Sequence, residues 1–286
     1  MRAAEDLGFA GLYRSDHFTN SQPPDCDSLE LIVSLTYLAD HTQRIQFGPL
    51  VAPLTFRHPA LLARQAAALD DLSGGRLILG VGAGWQTREH RLFGFELGDR
   101  PTRVARLEEG LQVITGLLRH DEPWTFEGRY FQVRDAILLP RPQRPGGPRV
   151  LVGGNGVQRT LPLVACYAEA CDGMGLSPAA FRERMRVLDE ALRAVGRQPS
   201  AVTRTLMLGS IFARSEGELE HKLAHYRAEL ELCNKPLEAV VDALVARGNA
   251  LIGTPEHITG QLAAYDQAGV EEVMVQWLDW DDLDGL

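Results

Sequence analysis

The sequence predicts an α/β fold of the (β/α)8 TIM-type barrel kind, and three observations carry that expectation. Short apolar runs of β character alternate with longer stretches of helical period along 286 residues. Several of these runs are apolar throughout rather than alternating, as parallel strands covered on both faces should be. The length is that of one α/β barrel, usually about 250 residues.

In chain order, "MRAAEDLG" opens with a helical pattern and is followed by a strand-like run, "FAGLYRS", at 9–15. A helical stretch at 29–41 leads to "IQFGPLVAP" at 45–53, and a second at 59–72 leads to "RLILGVG" at 76–82. Glycine in "LSGGR" stands where a helix should stop and the next strand begin. The helical stretch 102–119 precedes "WTFEGRYFQV" at 124–133, which reads as a small hairpin turning at Glu127–Gly128. "LPRPQRPGGPR", 139–149, is a loop by its proline and glycine content.

The second half continues the alternation. "RVLVGG" (149–154), "CDGMGLS" (171–177), "VTRTLMLGSIF" (202–212) and "EEVMVQWL" (271–278) read as strands. Helical stretches lie at 157–169, 178–195, 215–232, 236–247 and 255–268. Ser177 before Pro178 is an N-cap followed by proline at the first helical position, and Thr254–Pro255 repeats the pattern. This makes seven strands, not eight. The expectation is a barrel without its first strand and last helix, two elements that are neighbours in a closed ring.

Composition narrows the function classes. With 29 basic and 38 acidic residues the net charge is −9, and the two signs are interspersed without a basic block, which argues against nucleic acid as a partner. No apolar run approaches the roughly 18 residues a membrane span needs, and no signal peptide is visible. Cys26, Cys166, Cys171 and Cys233 form no C-x-x-C pair and read as reduced thiols of a cytoplasmic protein. His221 and His225 stand four apart, but Lys222 occupies the place where a zincin helix needs Glu, so no metal site is expected. A hydrolase elbow, G-x-S-x-G, is absent.

Three segments carry candidate chemistry. Asp16 and His17 lie where an apolar strand ends, and on a barrel such ends face the active-site mouth. An imidazole there can exchange a proton near neutral pH; the alternative is that Asp16 caps the loop and His17 is structural. "GVGAGW", Gly80–Trp85, follows a strand but is not a Rossmann fingerprint, which needs G-x-G-x-x-G. Its glycines either let a flat or anionic ligand approach the backbone or make a tight turn under a helix. "GGNG", Gly153–Gly156, lies before a helix expected from Val157, and is either an anion site or only a βα turn.

"AEDLGFAGLYRSDHF", "LVAPLTFRHPALLARQAAALDDLSGGRLILGVGAGW" and "LIGTPEHITGQLAAYDQAGVEEVMVQ" resemble, in order and over nearly the whole chain, the bacterial luciferase-like family, and most closely its coenzyme F420-dependent oxidoreductase branch. The resemblance implies a single (β/α)8 domain over 1–286, with a helical insertion around 214–250. It implies a deazaflavin F420, or alternatively FMN, across the barrel mouth. Asp16 and His17 take the places beside the ring, with His17 handling the substrate proton. The family's non-proline cis peptide falls on Leu50–Val51. Gly82, Ala83, Gly84 and Trp85, with Gly153, Gly154, Asn155, Gly156 and Val157, match segments that hold the cofactor's tail and phosphate. Trp85 stands where F420 sugar dehydrogenases carry Glu, so their sugar chemistry does not transfer.

The expected activity is hydride transfer between reduced F420 and a small organic substrate. An FMN-dependent monooxygenase and a non-catalytic flavin-binding barrel are the alternatives. A homodimer is implied by the resemblance. Loops at 18–28, 85–98 and 214–250 are expected to line the substrate pocket. There Trp85, Phe93 and Phe95 either indicate an apolar or aromatic substrate or pack the loop.

Overall fold

The computed structural model describes residues 2–230, 232 and 234–277, without the side chains of residues 225, 228 and 229. Cys233, Leu278 and the His225 side chain therefore lie outside the described residues. The chain divides into two compact units between Ala170 and Cys171.

The first unit begins with α1 (Arg2–Asp6), β1 (Gly11–Arg14), α2 (Leu31–His41), β2 (Gln46–Pro49), β3 (Ala52–Pro53), α3 (Pro59–Leu72) and β4 (Ile78–Gly82). It continues with α4 (Thr87–Phe93), α5 (Arg100–Arg119), β5 (Trp124–Glu127), β6 (Gln132–Ala136), β7 (Arg149–Gly153) and α6 (Thr160–Tyr167). β1 and β2 pair in parallel from Gly11↔Gln46 to Arg14↔Pro49. β3 pairs β4, and β4 pairs β7, also in parallel. A parallel bridge between Phe47 and Leu77 ties β2 to the start of β4. β5 and β6 form the antiparallel hairpin expected from the sequence, but it turns over residues 128–131 rather than at Glu127–Gly128, because Glu127 still pairs with Gln132.

The strands are apolar throughout because helices cover them. Phe47, Leu77, Leu79 and Val81 are buried against a helical layer that contributes Leu35 and Leu38 of α2, Leu62 and Ala66 of α3, and Leu107, Leu111 and Ile114 of α5. Two acidic side chains brace connections that carry little apolar surface. Glu5 accepts from the amides of Ile45 (2.8 Å) and Gln43 (3.0 Å) and from that of Arg44. The amides of Ile45 and Arg44 hold its carboxyl at about 2. Asp70, fully buried at the end of α3, accepts from Leu77 N and pairs with Arg144, which anchors the proline-rich loop.

The second unit contains β8 (Ala170–Met174) from its second residue on, then α7 (Pro178–Ala194), β9 (Thr203–Phe212), α8 (Glu216–Glu229), α9 (Leu237–Gly248), β10 (Leu251–Gly253), α10 (Pro255–Gln267) and β11 (Glu272–Trp277). β9 pairs in parallel with β10 and with β11. α7 buries Phe181, Met185, Leu188 and Leu192, one stripe at helical spacing. α8 and α9 close over β9 and β10 through a cluster of Ile211, Leu219, Leu223, Val240 and Ile252. A mostly apolar cavity of about 250 Å³ in this unit is lined by Met174, Met207, Ile211, Tyr226, Leu244 and Ile252, among others.

Several expectations are corrected. β10 was not expected: three residues are too few to show a strand pattern. α4 falls inside the segment expected to be a loop, because seven residues make less than two turns and leave no periodic signal. α6 starts at Thr160, not near Val157, since residues 157–159 form a turn and Arg159 has φ −130°. Ser177 caps α7 through its side chain to Ala180 N, 3.2 Å, as expected. Thr254 precedes α10 without capping it; its hydroxyl meets His257 Nδ1 at 3.2 Å instead. Of the described cysteines, Cys26 and Cys166 are exposed and Cys171 is buried, which pushes its thiol up to about 12. No described helix is long and apolar enough to cross a membrane.

Candidate active site

All the candidate residues lie in the first unit. β1 ends at Arg14, whose carbonyl accepts from Leu50 N at 2.7 Å. This fixes the strand exit against the segment between β2 and β3, where the Leu50–Val51 peptide is cis. Two residues on, Asp16 is buried, and both its oxygens accept from Arg57, Nε to Oδ2 at 2.6 Å and Nη2 to Oδ1 at 2.8 Å. Arg57 also reaches Glu30 Oε1 at 2.7 Å. Burial opposes the guanidinium charge, but the hydrogen bonds and charge of Asp16 and Glu30 outweigh it, so the pKa of Arg57 is raised.

His17 points the other way, to α4. Its Nδ1 lies 3.0 and 3.2 Å from the two oxygens of Glu89, whose side chain is 1% exposed against 32% for His17. Glu89 also accepts from Phe18 N at 2.9 Å. Gln86 Nε2 is 3.1 Å from the same Nδ1 and donates to Thr19 O at 3.0 Å. The Gln86 amide nitrogen only donates and is already used by Thr19 O, while both carboxylate oxygens face Nδ1, so the tautomer is assigned with its proton on Nδ1 toward Glu89, leaving the Nε2 lone pair open.

The two glycine clusters meet at one side chain. A Cβ on Gly82 would stand 2.4 Å from Val51 Cγ2, and one on Gly153 would stand 2.9 Å from Val51 Cγ1. The ends of β4 and β7 are therefore glycine because Val51 occupies the space between them. Gly84, at φ +75°, turns the chain over Thr55, and Thr55 Oγ1 lies 2.7 Å from Nε2 of the buried His90. Trp85 follows directly and sets its ring at 81° to that of His17, centroids 5.6 Å apart. Asp16, His17, Leu50, Val51, Gly82, Ala83, Gly84, Trp85 and Gly153 thus lie on one connected set of strand ends. Gly154, Asn155, Gly156 and Val157 continue from Gly153 as the turn before α6.

Sequence reading missed Glu89, Gln86, Thr19 and Arg57. The polar "QTREH" after Trp85 was the available signal for the first two, since acidic residues favour the first turn of a helix.

The model of the luciferase-like monooxygenase family matches residues 1–272. The chain belongs to that family. Among curated relatives, an F420-dependent glucose-6-phosphate dehydrogenase of Kineococcus radiotolerans is 33% identical over 205 residues, 71% of this chain. The matched segment spans 60% of that relative's length. Two solved structures share the fold: an F420-dependent secondary alcohol dehydrogenase, with TM-score 0.81, 21% identity and 96% and 86% of the two chains covered, and the EDTA monooxygenase of Chelativorans sp. BNC1, with TM-score 0.82, 19% identity and 99% and 82% covered. The fold is the family's α/β TIM-type barrel, and the protein is an oxidoreductase of this family.

Proposed function

We propose that the protein is an F420-dependent oxidoreductase acting on a small organic substrate. The observation that carries this reading is the partly exposed His17, backed by a buried carboxylate, beside strand ends whose backbone is bare of side chains. Val51, packed between Gly82 and Gly153, and the turn at Gly84 leave these strand ends with backbone and one small apolar side chain, a surface suited to a flat ring. Leu50 and Val51 would support the ring, Gly82–Trp85 the tail, and Gly153–Val157 the phosphate, whose charge suits a strand-to-helix turn. When bound, a reduced deazaflavin supplies a hydride.

The chain's own part is proton handling and shelter. Nε2 of His17 gives or takes the proton that balances the hydride. Glu89 keeps the ring oriented and stabilises it when charged. The Asp16–Arg57 pair holds the strand exit so that His17 keeps its direction, and Trp85 screens one side from water.

A second reading, an FMN-dependent monooxygenase, is favoured by the family's name and by a curated relative, 4-hydroxyprotoasukamycin monooxygenase of Streptomyces nodosus subsp. asukaensis, 26% identical over 99% of this chain. Fluorescence titration with each cofactor separates the two. F420 binding in preference to FMN supports the first reading; tight FMN binding without F420 binding replaces it with the second. A homodimer is also proposed. Leu29, just before α2, and Val33 and Tyr37 on it are 70%, 65% and 55% exposed, an apolar surface that a second copy would cover. Sedimentation velocity tests it.

A further inference from the structure

Three large side chains on the segments that carry His17 and its partners Gln86 and Glu89 are exposed. Trp85 is 59% exposed, Phe93 50% and Phe18 43%. They do not stand alone. Phe18 packs on Phe93 at 4.6 Å between centroids, on Phe56 at 5.2 Å and on Phe95 at 5.4 Å. Phe56 and Phe95 pack on each other at 5.2 Å. Phe56 and Phe95 thus form the inner part of a small aromatic wall with Phe18 and Phe93 as its open face, while Trp85 lies edge-on to the neighbouring His17. Loop packing accounts for the inner rings but not for a large exposed aromatic surface next to an imidazole. Contiguous exposed apolar surface of that kind marks a binding site.

Charge decides what the wall faces. Four carboxylates gather here, Asp16, Asp25, Glu30 and Glu89. Two of the three guanidinium groups here are held by carboxylates, whereas Arg14 bonds only neutral oxygens and keeps a buried Nε without a partner. Arg57 is held by Asp16 and Glu30, Arg88 is held by Asp25 at 2.6 and 2.7 Å, and Arg14 donates to Ser28 Oγ and to the Leu29 carbonyl. A phosphorylated sugar would find Arg57 and Arg88 already paired. An uncharged ring would meet edges and faces suited to offset or T-shaped contact.

We propose that Phe18, Trp85 and Phe93 form the subsite for an uncharged aromatic substrate, oriented toward Nε2 of His17. This rests on the reading of His17 as the proton-handling residue.

The test is isothermal titration of the full chain with acetophenone, with its saturated analogue cyclohexyl methyl ketone, and with glucose 6-phosphate. The variants are Phe93→Ala and Phe93→Leu, the second keeping apolar bulk while removing the ring. Acetophenone is expected to bind more tightly than its saturated analogue. Its affinity should fall roughly tenfold in Phe93→Ala and by less in Phe93→Leu, the scale of one lost aromatic contact. Glucose 6-phosphate is expected to give no saturable binding. Saturable, salt-sensitive binding of glucose 6-phosphate, or acetophenone affinity unchanged in both variants, overturns the assignment. F420 titration of the same preparations keeps the two questions apart. Failure of F420 to bind removes the redox reading and leaves the ketone result standing, whereas unchanged ketone affinity removes the subsite alone.

Discussion

Nδ1 of His17 and Oε1 of Glu89 lie 3.0 Å apart, although 72 residues separate them in the chain. The carboxylate is buried and accepts a second hydrogen bond from Phe18 N, so its position is fixed independently of the imidazole. Glu89→Gln keeps an oxygen for Phe18 N but can turn an amide donor toward Nδ1, which favours the opposite tautomer. Turnover should fall about a hundredfold, within the range of general acid–base contributions. The ring-nitrogen NMR shifts of His17 should show the proton moved to Nε2. An unchanged tautomer would leave Glu89 with only a packing role.

His17→Ala separates proton handling from cofactor holding. Nothing in the backbone around Val51, Gly82 and Gly153 depends on the imidazole. Cofactor affinity should stay within about twofold while turnover falls on the order of a hundredfold or more. Equal losses in both would mean that the ring supports the cofactor rather than the reaction.

The elements and residues that sequence revealed share a physical cause. Strands β4, β7 and β9 are long apolar runs, and α7 repeats a full amphipathic period, so each wrote a pattern into the chain. His17 and the glycines were readable because they stand at the ends of those runs. Glu89 and Arg57 were not, since each gains its role from a partner distant in sequence: 72 residues away for Glu89 and 41 for Arg57. Their local surroundings, a seven-residue helix and a short loop before α3, carry no periodicity that would have placed them.

Arg57 and Asp16 form a largely buried pair, 15% and 7% exposed in their side chains. Arg57→Ala leaves the Asp16 carboxylate without its counter-charge, and breaking such a pair costs roughly 3–5 kcal/mol. Urea unfolding of Arg57→Ala should show that loss. The double variant Asp16→Asn/Arg57→Ala should recover part of it, because the unpaired charge is gone. A double variant no more stable than Arg57→Ala would assign the loss to packing of the arginine stem.

Gly82 and Val51 compete for one space. A Cβ on Gly82 would stand 2.4 Å from Val51 Cγ2, so Gly82→Ala should destabilise by about 1–3 kcal/mol, the usual cost of overpacking. Val51→Ala removes the colliding methyl. Adding it to Gly82→Ala should therefore restore stability rather than lower it further. Thermal unfolding of the two single variants and the double variant gives the coupling, and strictly additive losses would contradict this contact.

Asp172 contributes a pH dependence to the second unit. It is buried on β8, accepts from Thr205 Oγ1 at 2.7 Å, and burial pushes its carboxyl up to about 7 from 3.8, against the lowering effect of that hydrogen bond. The folded form therefore holds a proton that the unfolded chain has already released across this interval. Its contribution to stability is fully present below about pH 3.8 and is lost as pH rises through about 7. One proton corresponds to a slope of at most about 1.4 kcal/mol per pH unit between those limits. Asp172→Asn keeps an oxygen for Thr205 and has nothing to titrate. The stability of the native chain relative to this variant should decline from pH 4.5 to 7 and level off above it, as measured by urea midpoints at matched pH. Parallel curves for the two proteins would show that Asp172 stays ionised in the folded state, and that Thr205 and its surroundings solvate the charge.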